Sequence, residues 1–228
     1  MDDTLLDTSA GVQASWEIAC REVSPQIGCE WGELRDALIS EMTHFWRDEA
    51  AAEHWRTKLV EAREHVIDLA LAARGWNPGL TKAISDRYGE EREARLELFA
   101  DAVETLETLR GRGYKLGLLT NGPADMQRGK VTRFALAQYF DVVVIEGEFG
   151  KGKPHREVFE HALATVGMAP DEAWHVGDNL YADIGGAKAA GLHATWIHRD
   201  RLELKDESLP VPDRVIGHLA ELREALGC

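Results

Sequence analysis

YKLGLLTNG, residues 114–122, decides the class of fold. Tyr114 to Thr120 reads as a short apolar strand, and Thr120-Asn121-Gly122 closes it with a turn. The same kind of run returns in FDVVVIE (140–146), AWHVG (173–177) and HATWIH (193–198), the middle ones apolar on both faces as buried parallel strands are. Between them, HREVFEHALATVG (155–167) sets Val158, Phe159, Ala162, Leu163 and Val166 on one helical stripe and stops at Gly167. Upstream, DAVETLETLRGRG (101–113) does the same with Val103, Leu106 and Leu109, and feeds the first strand. Strands alternating with amphipathic helices predict an α/β fold with a Rossmann-like parallel sheet. Beyond Leu202, Pro210 and Pro212 mark a loop before a last short strand near Val215 and a closing helix.

Ser9 to Glu97 has a different texture. It holds no convincing strand, is rich in Ala, Glu and Arg, and breaks at Ser24-Pro25 and at Asn77-Pro78-Gly79. The pattern predicts an inserted bundle of about four helices over residues 9–97, with 1–8 and 98–228 forming the α/β domain. Five of the seven tryptophans (Trp16, Trp31, Trp46, Trp55 and Trp76) lie in this insertion and are expected to be mostly bundle core, any remainder facing a cleft.

Composition narrows the function. Forty acidic against 26 basic residues give a net charge of -14, a field that repels phosphate backbones and argues against a nucleic-acid partner. A small anionic substrate would then need local positive charge from a metal ion or a few placed basic groups. No apolar run reaches the roughly 20 residues of a membrane span, and the N-terminus is acidic where a signal peptide is basic; a cytoplasmic protein without a membrane partner is expected. Cys20, Cys29 and Cys228 form no CxxC pair and are read as reduced thiols.

Four local signals fall at or just beyond strand ends, where open α/β sheets place ligands: Asp2-Asp3-Thr4, Thr120-Asn121-Gly122, Lys153-Pro154, and Gly177-Asp178 with Asp183. Singly each is a common turn or helix start. In this order and spacing, with TNGPADMQRGK (120–130), GKGKPHREVF (150–159) and a helical insertion after the first motif, the chain resembles the haloacid dehalogenase (HAD) superfamily, phosphatase-like members with a C1 helical cap.

The resemblance implies a role for each residue. Aligning Thr4 with the last residue of the family's DxDxT motif makes Asp2 its second Asp, the general acid/base that protonates a leaving alkoxide and then activates water. Thr120 and Asn121 would donate hydrogen bonds to the transferring phosphoryl group, and Lys153, rather than nearby Lys151, would neutralise it. Asp178, with the Asp2 carbonyl, would hold Mg2+, and Asp183 would join the metal site by orienting a bound water or by holding Lys153. The nine histidines show no HExxH spacing and are read as structural or solvated; Arg128 and Lys130 are read as a solvated helix face, and Arg47, Arg56 and Lys58 as a charged exterior or substrate contacts.

The motif's first Asp, the nucleophile, would stand just before Met1, and the strand leading to it would lie between the strands ending at Thr120 and Gly177. Five buried backbone groups left unpaired there would cost about 5 to 15 kcal/mol, as much as a domain's stability. The expectation is therefore a start several residues upstream, a central first strand missing from this chain, and no turnover from residues 1–228 alone. The function implied is Mg2+-dependent hydrolysis of a small phosphomonoester, such as a sugar phosphate, phosphoglycolate or nucleotide, through an aspartyl-phosphate. The alternatives are a phosphomutase or dehalogenase of the same superfamily, or a non-catalytic phosphate-binding protein; substrate and oligomeric state stay open.

Overall fold

The computed structural model describes residues 1–47, 54–199 and 209–227, so Cys228 and the start of the loop expected after Leu202 lie outside the described residues. The chain forms two units, residues 1–7 with 98 onward and Thr8–Glu97. A short strand β1 (Leu6–Asp7) leads out of the first unit, β2 (Glu97–Leu98) leads back, and the two pair.

The unit Thr8–Glu97 contains α1 (Val12–Ile27), α2 (Trp31–Phe45), α3 (Leu59–Ala73) and α4 (Thr81–Ala94). Their apolar faces meet in a core of Trp16, Cys20 and Val23 from α1, Leu34 and Leu38 from α2, Ile67 and Leu71 from α3, and Ile84 from α4. Helical spacing puts them there: on α3 the buried set Ala62, Val66, Ile67, Ala70 and Leu71 follows the three- and four-residue steps of one face. The chain does break at Asn77-Pro78-Gly79, where Asn77 Oδ1 accepts from the Gly79 N–H. Ser24-Pro25, by contrast, does not end a helix: α1 runs through Pro25 to Ile27, and Gly28 closes it in the left-handed region. A proline in the last turn forfeits few hydrogen bonds, so the cost is borne by the tertiary contacts of Trp16, Cys20 and Val23. Only Trp16 of the five tryptophans is fully buried, stacked on Tyr88 with centroids 3.9 Å apart. Trp31, Trp46, Trp55 and Trp76 are half-buried, because so large a ring rarely disappears from the surface of a small bundle.

In the other unit, α5 (Ala102–Gly111) precedes β3 (Gly117–Thr120), α6 (Ala124–Arg133), β4 (Val142–Ile145), α7 (Glu146–Phe149), α8 (Arg156–Val166) and β5 (Trp174–Gly177). A π-helical stretch, Leu180–Gly185, runs into α9 (Gly186–Ala189), and β6 (His193–Ile197), β7 (Arg214–Ile216) and α10 (Leu219–Ala225) complete it. All ladders of this unit's long strands are parallel: β3 pairs with β4, with Leu118 opposite Val143, and β5 pairs with β6, which pairs with β7. Val158, Phe159 and Ala162 of α8 pack on Leu119 and Val144 from one sheet and on Ile184, Ala187 and Ala194 from the other side. The α/β class with parallel strands and an inserted helical region is the one expected. The strands do not form one continuous sheet, however: they form two separate ladders, and among the described residues no strand pairs with the remaining edges of β3 and β5.

Candidate active site

The loop Asp2–Thr4 lies where β3 and β5 end. Thr4 Oγ1 donates to Asp178 Oδ1 at 3.0 Å, one residue past β5. Gln127 on α6 ties the loop to β3: its Nε2 lies 3.1 Å from Asp2 Oδ2, 2.6 Å from Thr120 Oγ1 and 2.8 Å from the Asn121 carbonyl. Arg199, just past β6, holds the loop from the other side by donating to the Thr4 carbonyl at 2.8 Å while its guanidinium lies 3.4 Å from the centre of the Phe99 ring.

Asn121 and Lys153 are brought together by a two-way clamp. The Asn121 amide donates to the Lys153 carbonyl and accepts from the Lys153 N–H, both at 2.7 Å, and so fixes the turn that carries the cis Lys153–Pro154 bond. The Asn121 side chain is thereby committed to the protein. Lys153 itself is buried and ion-paired to Asp183 at 2.5 Å, whereas Lys151 is exposed and pairs with Glu157 on the surface.

Asp183 sits in the π-helical stretch and is fully used. Its Oδ1 receives Lys153 and His175 Nε2 at 2.8 Å, and its Oδ2 accepts from the Asn179 N–H at 3.0 Å. Gly177 makes room for it: a Cβ at that position would lie 2.2 Å from the Asp183 Cγ. Burial by itself would raise the Asp183 pKa, but the Lys153 charge and the His175 and Lys153 hydrogen bonds outweigh it and hold the carboxyl far below its usual range. His175, buried against the Phe159 ring, is pushed below its ordinary value by desolvation despite Asp183.

The two remaining carboxylates differ in sign. Burial, then the neighbouring Asp183, raises Asp178, while Thr4 and Trp196 hold it, the indole donating to the Asp178 carbonyl at 2.8 Å. Burial also works to raise Asp2, but Lys130 at 2.8 Å and the Gln127 hydrogen bond overcome it and lower its pKa. Lys130 is therefore no solvated face: its side chain is only 18% exposed and points inward to Asp2, whereas Arg128, two residues earlier on the helix, does face solvent and pairs with Glu148. Only Asp2 Oδ2 is partnered; Oδ1 is buried with no hydrogen-bond partner among the described residues.

Gln127, Lys130 and Thr4 were not singled out as site residues by sequence reasoning. The one available signal was their spacing, since Gln127 and Lys130 stand three apart on the helix after the Thr-Asn-Gly turn and so share a face. Arg47, Arg56 and Lys58 belong to the helical unit.

Among the described residues no group of three or more His, Cys, Asp or Glu side chains is gathered to hold a metal ion. Oxygen donors suited to Mg2+ are nevertheless present, because this ion takes one or two carboxylates and keeps the rest of its octahedron for water and phosphate. Asp178 offers a carboxylate of that kind, while both Asp183 oxygens already accept hydrogen bonds from the protein.

A parallel α/β unit with acidic, hydroxyl and lysine groups converging on its strand ends defines a class of enzyme core suited to anionic substrates. The chain belongs to the haloacid dehalogenase-like hydrolases, whose family profile matches residues 1–191. It is 40% identical over 166 residues to a phosphoserine phosphatase of Thermus thermophilus, a match spanning 72% of this chain and 66% of that one. It is 38% identical to the mouse N-acylneuraminate-9-phosphatase over 97% of this chain and 89% of that protein. The crystal structure of a HAD phosphatase from Thermococcus onnurineus aligns with a TM-score of 0.71 and 30% identity, covering 100% of this chain and 95% of the other. No helix among the described residues is long and apolar enough to cross a membrane.

Proposed function

We propose that the protein is a Mg2+-dependent phosphomonoesterase acting on a small phosphorylated metabolite through an aspartyl-phosphate. The observation that carries this reading is the buried Lys153, clamped by Asp183 and Asn121, beside the Thr120 hydroxyl and the Asp2–Thr4 loop. A cation held in that way is a binding charge for one anionic group, and the relatives named above are phosphatases of small metabolites.

In this reading Lys153 and the Thr120 hydroxyl bind the phosphoryl oxygens, with Asn121 presenting backbone groups and keeping the Lys153 turn in place. Mg2+ bound by the Asp178 carboxylate and the Asp2 carbonyl would offset phosphate charge. Asp183 serves by orienting Lys153. Asp2 exchanges the proton: Lys130 and Gln127 occupy Oδ2, so Oδ1 is the atom that gives a proton to the leaving alkoxide and then takes one from water. Its carboxylate is ionised at rest, and an incoming phosphate anion raises its proton affinity so that it can act as the acid. This reading assigns the nucleophile to the motif's first Asp, two motif positions before Asp2.

The experiment is phosphate release from a panel of phosphomonoesters with and without Mg2+, on residues 1–228 and on the same chain preceded by a strand and that Asp. Mg2+-dependent release by the second protein, lost in Asp178→Ala, is expected. Turnover by residues 1–228 above its own Asp178→Ala control would remove the assignment of the nucleophile, and no release by either protein on any phosphomonoester would sink the reading.

A further inference from the structure

The end of β6 reaches both loops that carry the acidic groups, and it does so with two side chains. Trp196 pairs across the ladder with Gly177, the last residue of β5. Its indole N–H donates to the carbonyl of the next residue, Asp178, at 2.8 Å. The indole lies flat on the His198 ring, with centroids 4.2 Å and planes 10° apart. Three residues on, Arg199 donates to the Thr4 carbonyl at 2.8 Å. The guanidinium has a fixed neighbour of its own: Asp101 Oδ1 lies 3.3 Å away, and Asp101 Oδ2 accepts from the Leu219 N–H at 2.6 Å.

These bonds close a ring. Thr4 Oγ1 donates to Asp178 Oδ1, so the two loops are joined once by their side chains and once through β6. A carbonyl bonded to a fixed donor cannot swing without losing that bond, and a part-buried one finds little water in exchange. The peptide units of Thr4 and Asp178 are therefore held at one separation. At that separation the Thr4 hydroxyl takes Oδ1 of Asp178, and Oδ2 accepts no hydrogen bond from the described residues. A cation of the Mg2+ type demands oxygen ligands in near-ideal positions, so the spacing of the two loops matters to its binding. Packing alone does not account for the pair. Ile197, between them, already serves the core and is 1% exposed, whereas the indole and guanidinium each end on a loop carbonyl.

We propose that Trp196 and Arg199 are positioning residues for a divalent cation at Asp178, setting from one strand end the spacing of the two loops around it. The inference rests on the Mg2+ part of the reading above. The probe is Mn2+, its free ion followed by electron spin resonance, titrated into the two proteins compared above; the tighter binder of the two carries the variants. Trp196→Phe keeps a ring and loses the donor, and Arg199→Met keeps the stem and loses the donors. Groups that orient a metal's ligands cost about tenfold to a hundredfold in affinity when removed, and each variant should weaken Mn2+ by about that factor. Ile197→Val loosens the same strand without removing a donor, so it should lower the urea midpoint and leave Mn2+ affinity unchanged. Binding that is lost in Asp178→Ala but unchanged in Trp196→Phe or in Arg199→Met would overturn the proposal and leave the metal assignment standing. An equal weakening in Ile197→Val would trace the effect to strand stability and overturn the proposal as well. No binding by either protein at millimolar Mn2+, or binding that survives Asp178→Ala, would sink the metal assignment and the proposal together.

Discussion

At the scale of single residues the decisive group is Asp183. Both its oxygens serve the protein, and it anchors the Lys153 ammonium in a place where neither charge meets much water: the side chains are 9% and 4% exposed. Breaking one side of such a pair leaves a buried charge behind, so Asp183→Asn should lose about 3–5 kcal/mol in urea unfolding. Lys151→Ala, which breaks only a surface pair, should cost less than about 1 kcal/mol. The pH dependence has a definite sign. The Asp183 carboxyl is depressed by folding, so its contribution is present above about pH 4, the ordinary carboxylate range, and is lost as pH falls below it. Folding also depresses His175, so the unfolded chain takes up that proton first, and stability should begin to decline as pH drops through about 6.5. Asp178, raised by burial and by Asp183, works in the opposite direction at acid pH. Urea midpoints measured from pH 7.5 to 5 should therefore fall, and His175→Gln should flatten the slope.

At the scale of elements, the strands and the helices flanking them were readable because each carries its own periodicity. Val142–Ile145 and His193–Ile197 are short apolar runs, and α8 shows a stripe ending in a glycine. Gly167 closes α8 at φ 70°, and its N–H bonds the Leu163 carbonyl, so Gly167→Ala should cost about 1 kcal/mol in a thermal melt through the left-handed backbone alone. Gly177→Ala should cost more, since its Cβ meets the side chain that holds Lys153. The proline at position 25 misled for a related reason. Its local preference is to end a helix, and that preference yields where core contacts extend on both sides of a single missing hydrogen bond. Lys130 misled because a charged residue on a helix reads as solvated unless its partner is known, and Asp2 is 128 residues away.

For the whole molecule, the charge of -14 acts beyond any one contact. On the phosphate-binding reading, that field opposes the approach of an anion which only Lys153 and its neighbours attract at close range. Raising salt from about 10 to 150 mM shortens the screening length from about 30 to 8 Å, so calorimetry in the presence of Mg2+ should show inorganic phosphate binding to residues 1–228 roughly two- to tenfold more tightly at the higher salt. A lower affinity at higher salt would mean that the local cations dominate. By itself the sequence determined the class of fold, the run of strands and helices, and the family, because apolar period, glycine and proline punctuation and motif order are local or ordered along the chain. Only the tertiary structure decided that Gln127 and Lys130 take one oxygen of Asp2 and leave the other bare, and that Asp183 is spent on Lys153 and His175. Those facts join residues up to 128 positions apart, and no local pattern encodes which oxygen remains without a partner.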